Sequence, residues 1–161
     1  ISLGMDASNE ARHYHYVPVM KTLESMLTDK TVVHCLVFMP RPRQDSVYAD
    51  FTDGEVFAKK QDCGHRKLSL ILYQDAFEVA NPLGPSRGTY KMLAVYLSLG
   101  NLPAFVRSQV DQQQLVLLCH EKDVRHFGSD AIFERLIQDL KTLEDEEILT
   151  NGCHYKVSLA F

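Results

Sequence analysis

The sequence predicts an α/β fold in which three consecutive strands, a helix and a fourth strand build a β-β-β-α-β core, with a mixed sheet in the order 3-2-1-4. Three observations carry this expectation. The nearly continuous apolar run at 68–73 reads as a central strand covered on both faces. Two further strand-like runs, 90–99 and 114–119, follow it across turn-rich links. A 3.6-residue stripe of Ile132, Phe133, Leu136, Ile137, Leu140 and Leu143 then marks a helix, and alternating Tyr155, Val157, Leu159 and Phe161 mark a strand after it.

Taken from the start, residues 1–16 are polar and read as irregular, ending in His13-Tyr14-His15-Tyr16. A short amphipathic helix is expected at 18–28, with Val19, Met20, Leu23, Met26 and Leu27 on one side, Pro18 in its first turn and Thr28-Asp29 closing it. The β-branched stretch 31–39 suits either a strand or a second helix, and Pro40-Arg41-Pro42-Arg43 stops it. Asp50-Phe51-Thr52-Asp53-Gly54 reads as a turn, followed by a charged loop up to Lys67. Residues 1–67 thus form an upstream segment, and 68–161 form the core.

The central strand runs on from Tyr73 into Gln74-Asp75. A carboxylate late in a buried strand is costly unless it is paired, bound to metal or open to solvent, which makes Asp75 the candidate functional residue. The loop Asn81-Pro82-Leu83-Gly84-Pro85-Ser86-Arg87-Gly88 lacks the Gly-Lys-Ser/Thr ending of a phosphate cradle and reads as a hairpin connection. After the second strand and Gly100-Asn101-Leu102-Pro103, Phe105 and Val106 suit one short helical turn. The long helix takes Ser129 or Asp130 as its cap, and Glu144 to Glu147 with Asn151-Gly152 end it.

Composition narrows the class. At 161 residues, 45% hydrophobic and 24% charged, the chain is neither disordered nor low-complexity, and it contains no apolar run long enough to span a membrane. A net charge of −4, with Arg41, Arg43, Lys59, Lys60, Arg66 and Lys67 mixed among acids, argues against a stand-alone nucleic-acid binder. Cys35, Cys63, Cys119 and Cys153 are too few for a disulfide scaffold, so an intracellular, reducing compartment is expected. Each has a His nearby, but no Cys-x2-4-Cys pair occurs, and buried core thiols are the better reading than zinc. Residue 1 is Ile and no signal peptide follows it, so a processed or incomplete chain is expected.

The element order has a consequence for chemistry. Three meandering strands followed by a right-handed helical crossover return the fourth strand parallel to the first. That is the first half of a ribonuclease H-like fold. In that fold a carboxylate on the first strand faces one just after the fourth, and a later helix supplies a third. Together they hold two divalent metals, Mg2+ or Mn2+, which clamp the attacking and leaving oxygens of a phosphodiester.

The residues then point further. The runs Leu70-Ile71-Leu72-Tyr73-Gln74-Asp75-Ala76-Phe77-Glu78, Lys91-Met92-Leu93-Ala94-Val95-Tyr96-Leu97-Ser98-Leu99-Gly100-Asn101-Leu102-Pro103 and Gln114-Leu115-Val116-Leu117-Leu118-Cys119 resemble transposase-derived proteins of eukaryotic DNA transposons. They are more distantly similar to the DDE transposases of CACTA (En/Spm-like) elements. The Tyr16-Val17-Pro18 helix and the Asp50-Gly54 turn resemble the segment preceding that catalytic core. The resemblance implies that Asp75 is the first metal-binding carboxylate, that the full-length parent acts on DNA by metal-dependent cleavage and strand transfer, and that it works in the nucleus.

One carboxylate does not assemble a two-metal site. Glu78 lies three residues beyond Asp75 and so points to the opposite strand face, and neither Asp111 nor Asp123 falls where the resemblance requires an acid. The chain by itself is therefore expected to be catalytically inactive and to need no metal. Two other readings stand beside an incomplete transposase core. One is a non-enzymatic, transposon-derived interaction module that self-associates through an open strand edge near 154–161. The other is an unrelated α/β protein in which Asp75 is a structural acid paired with Arg87 or Lys91.

Overall fold

In the computed structural model, residues 1–38, 50–55, 66–79 and 90–160 are described. The Pro40-Arg43 stop, the charged stretch containing Lys59, Lys60, Cys63 and His65, the 81–88 connection with Arg87, and Phe161 lie outside them. Along the described residues the chain forms β1 (Ser2–Met5), β2 (Ala11–His13), β3 (His15–Tyr16), α1 (Val19–Thr28), α2 (Lys30–Cys35), β4 (Arg66–Glu78) and β5 (Lys91–Leu99). It continues with α3 (Ala104–Arg107), β6 (Gln114–His120), α4 (Glu121–Phe127), α5 (Ser129–Asp145), β7 (Ile148–Thr150) and β8 (Cys153–Leu159). Tight 3-10 turns occupy Phe51–Asp53 and Val110–Gln112.

The fold is mixed α/β. Its main sheet runs β3-β6-β5-β4-β8-β7, so the four strands expected from sequence are β4, β5, β6 and β8, in the expected spatial order. Strand β4 is antiparallel to β5 and parallel to β8, and α4 and α5 lie in the connection that brings β8 back beside β4. Register assigns the faces. Leu70 sits opposite Leu99 and Leu159, and Leu68 sits opposite Val157, so the even residues of β4 share a face with the odd residues of β5 and β8. Leu68, Leu70, Leu97 and Leu99 on that face are buried in one cluster with Leu23 and Leu27 of α1 and with Ile132, Leu136 and Leu143 of α5. The stripes that predicted both helices are therefore the surfaces that cover this face. Fully burying one such leucine contributes about 1.5–3 kcal/mol.

Four expectations are corrected. Residues 1–16 are not irregular: β1 and β2 form an antiparallel ribbon, and His15 and Tyr16 pair with Leu118 and Leu117 as an edge strand. Its turn is held by Asp6, whose Oδ1 accepts from the backbone N–H groups of Ser8 and Glu10 at 2.9 and 3.1 Å. The fourth strand is not the sheet edge, because β7 pairs with it from Cys153 to Tyr155. Asn151 and Gly152, expected to end the long helix, instead make the β7–β8 turn at φ 50° and 72°, and α5 stops at Asp145. Lastly, Gly128, rather than Ser129 or Asp130, occupies the cap position of α5. The ambiguous 31–39 stretch is helical in its first part, where α2 runs to Cys35 and its first turn is capped by Asp29 Oδ1 accepting from Thr31 N at 2.7 Å.

Two short motifs far apart in sequence meet at the base of the sheet. Gly100 N donates to Ser69 O at 2.7 Å, and a Cβ on Gly100 would lie 2.7 Å from the Phe51 ring, so the close approach requires glycine. Buried Asn101 accepts from Ser69 N at 2.7 Å and donates to the carbonyls of Lys67 and Val37 at 3.0 and 3.1 Å. Arg107 pairs with Asp50 at 2.7 Å, donates to the carbonyls of Gly100 and Leu102, and lies 4.9 Å over the Phe51 ring. The Asp50-Gly54 turn and the Gly100-Pro103 strand exit thus form one structural clamp.

Candidate functional site

The odd residues of β4 form the face of the sheet opposite the helices. Tyr73, Asp75 and Phe77 project from it, and all three are exposed, Tyr73 by 57% and Phe77 by 40%. This corrects the expectation that Asp75 is embedded in a buried strand. In β4 only Leu68, Ser69 and Leu70 are buried, and every residue from Tyr73 to Phe77 is exposed. An exposed carboxylate keeps its hydration and demands no partner. Burial therefore supplies no reason to assign Asp75 a function.

The other acids are dispersed. Glu78 sits opposite Lys91 in the β4–β5 register, so both belong to the face away from Asp75, and Lys91 is not its structural partner. Asp111 lies in the Val110–Gln112 turn. Asp123 is 1% exposed and committed elsewhere: Arg12 Nε and Nη2 donate to its two oxygens at 2.8 and 3.2 Å, fastening the β1–β2 ribbon to α4. That bidentate bond is the main cause of a raised Arg12 pKa.

Mg2+ takes oxygen ligands in near-octahedral geometry and usually binds through one or two carboxylates plus waters or phosphates. Asp75 offers one suitable ligand. Among the described residues no three His, Cys, Asp or Glu side chains gather closely enough to hold a metal ion, so a two-metal site does not fit these residues. Among the described residues the cysteine–histidine pairs do not converge either. Cys119 is buried in the core, whereas Cys153 Sγ accepts from Arg66 Nη1 at 2.9 Å and His154 faces Glu147 at 3.2 Å.

Beside Asp75 the same face is apolar. A cavity of about 560 Å3 opens between Phe77 and Val79 of the β4 end, Tyr90 and Met92 of the β5 start, and Leu118 and His120 of β6. The clamp built on Asn101 and Arg107 lies at the other end of β4, about 20 Å away at 3.3 Å per residue, and does not reach Asp75. No helix among the described residues is long and apolar enough to cross a membrane. No family model, curated protein or solved structure matches the chain.

Proposed function

We propose that the chain is part of a ribonuclease H-like, DDE-type transposase core in which Asp75 takes the position of the first metal-binding carboxylate. The observation that carries this reading is the order β6-β5-β4-β8, with β4 antiparallel to β5, parallel to β8 and joined to it through a helical crossover. That arrangement puts Asp75 in the C-terminal half of a central strand, on an exposed stretch that phosphate could approach. Because the described residues gather no group of three metal-ligating side chains, this reading assigns the 161-residue chain no DNA cleavage of its own. Cleavage and strand transfer with Mg2+ or Mn2+, in the nucleus, belong in this reading to the full-length parent.

A DNA nicking assay of the full-length parent tests the reading. Asp75→Asn is expected to lower the metal-dependent rate by more than about 100-fold, beyond the loss typical of outer-shell metal partners. Glu78→Gln, on the opposite face, is expected to change it little. Nicking that survives Asp75→Asn would overturn the assignment. A second reading, a non-enzymatic transposon-derived interaction module, is favoured by the exposed aromatic surface around Asp75.

A further inference from the structure

Asn151 and Gly152 are the two-residue turn between β7 and β8, with Thr150 opposite Cys153 and both turn residues at positive φ, 50° and 72°. Both are exposed. The asparagine side chain also reaches outside the hairpin, where its Nδ2 donates to Leu27 O at 3.1 Å. Leu27 lies in the last turn of α1, where a helix leaves its own carbonyls unpaired, so this amide latches the hairpin to the end of α1. Beneath the latch, Ile148 of β7 is buried in one cluster with Leu23 and Leu27.

Of the chain's four asparagines only Asn151 precedes glycine, and that pair carries a reaction within itself. When the side chain swings over the next main-chain nitrogen, Gly152 N bonds to Asn151 Cγ, the Cγ–Nδ2 bond breaks, and Nδ2 leaves as ammonia with the proton from Gly152 N. Water then opens the cyclic imide at either carbonyl, giving aspartate or isoaspartate, and nothing is oxidised or reduced. Glycine favours the closure because it has no Cβ to shield its nitrogen, and a Cβ on Gly152 would meet no atom within 4 Å, so no neighbour blocks the approach. In the closed hairpin the turn fixes the main chain and the Leu27 contact fixes the side chain, so the swing requires the latch to open. The product does not close it again. A carboxylate at 151 has no hydrogen to donate to Leu27 O, and its charge meets the negative end of the α1 dipole, whose last turn has no basic residue. Isoaspartate also lengthens the main chain by a methylene, which a two-residue turn does not accommodate.

We propose that Asn151-Gly152 is a self-modification site gated by the Leu27 latch: opening of the α1 end allows a one-way conversion of the asparagine, and the converted chain keeps its β7–β8 hairpin unlatched from α1. This goes beyond the transposase reading and does not depend on it.

The 161-residue chain, folded or in urea, is incubated in mildly alkaline buffer, and conversion at residue 151 is followed by chromatographic peptide mapping with mass spectrometry, which separates the asparagine, aspartate and isoaspartate forms. The folded chain is expected to convert at least about tenfold more slowly than the chain in urea, because the latch must open first. Glu24→Gly combined with Ser25→Gly loosens the end of α1 from its exposed side and leaves the core residues in place. The pair is expected to raise the folded rate about fivefold and to leave the rate in urea unchanged. Asn151→Asp makes the product directly and is expected to speed amide hydrogen exchange in the last turn of α1 while protection of β4 and β5 stays as it was. A folded rate equal to the rate in urea, a folded rate indifferent to the two glycines, or unchanged exchange in Asn151→Asp overturns the proposal. None of these variants touches Asp75, so failure here is separable from failure of the DNA nicking test.

Discussion

Asn101 spends its whole side-chain amide on main chain, accepting from Ser69 and donating to Lys67 and Val37. Truncation leaves these buried groups without partners, each costing about 1–3 kcal/mol. Asn101→Ala is expected to destabilise the chain by roughly 3 kcal/mol in urea unfolding. A loss under about 0.5 kcal/mol, the range of ordinary surface substitutions, would show that the clamp does not hold the sheet. Cys119 tests the core differently. Burial, with a smaller contribution from Asp123, pushes its thiol from 9.0 up to about 11. A folded pKa above the unfolded one contributes stability that is fully present below pH 9.0 and lost as pH rises through about 11. Tyr16 adds a loss of the same sign above pH 10.0, since burial and its hydrogen bond to Asp139 raise its pKa. Urea unfolding followed through that alkaline range should show declining stability. In the native chain near pH 8, iodoacetamide should modify the partly exposed Cys35 and Cys153 before Cys119. Rapid labelling of Cys119 would contradict its place in the core.

At the scale of elements, a buried ion pair fastens the β1–β2 ribbon to α4. Arg12 and Asp123 have side-chain exposures of 13% and 2%, so removing one partner strands a charge. Asp123→Asn is expected to cost about 3 kcal/mol, whereas replacing both residues by Met and Leu should recover most of the loss. Urea unfolding of the two variants checks this. The ribbon escaped the sequence reading because its residues are mostly exposed and carry no apolar alternation to mark a strand. Strand β7 escaped for another reason: it has three residues, and Glu144 to Asn151 read together as a helix ending. The signal was present, since Asn-Gly between Ile148-Leu149-Thr150 and Cys153-His154-Tyr155 is the preferred two-residue hairpin turn. By contrast, α1 and α5 were legible from their stripes, because Leu23, Leu27, Ile132, Leu136 and Leu143 are buried at helical spacing.

For the whole molecule, the order of the four predicted strands followed from short links, one helix and the handedness of a crossover, which are consequences of chain geometry. The environment of Asp75 did not follow. The run from Leu68 to Tyr73 is nearly continuous apolar sequence and Ala76-Phe77 resume it beyond Gln74-Asp75, yet only Leu68, Ser69 and Leu70 are buried, and which part of a strand its neighbours cover is a tertiary fact that no local pattern encodes. The clamp joining Asp50, Phe51, Gly100, Asn101 and Arg107 likewise ties together two motifs whose proximity only the fold reveals. The central claim is that Asp75 marks the position of a metal-binding carboxylate in the parent protein. Replacing Mg2+ by Fe2+ in the full-length parent, then adding ascorbate and peroxide, cuts the backbone beside any bound metal. The account predicts a cut close to Asp75 that disappears in Asp75→Asn. Cuts elsewhere only, or a cut near Asp75 that persists in the variant, would contradict it.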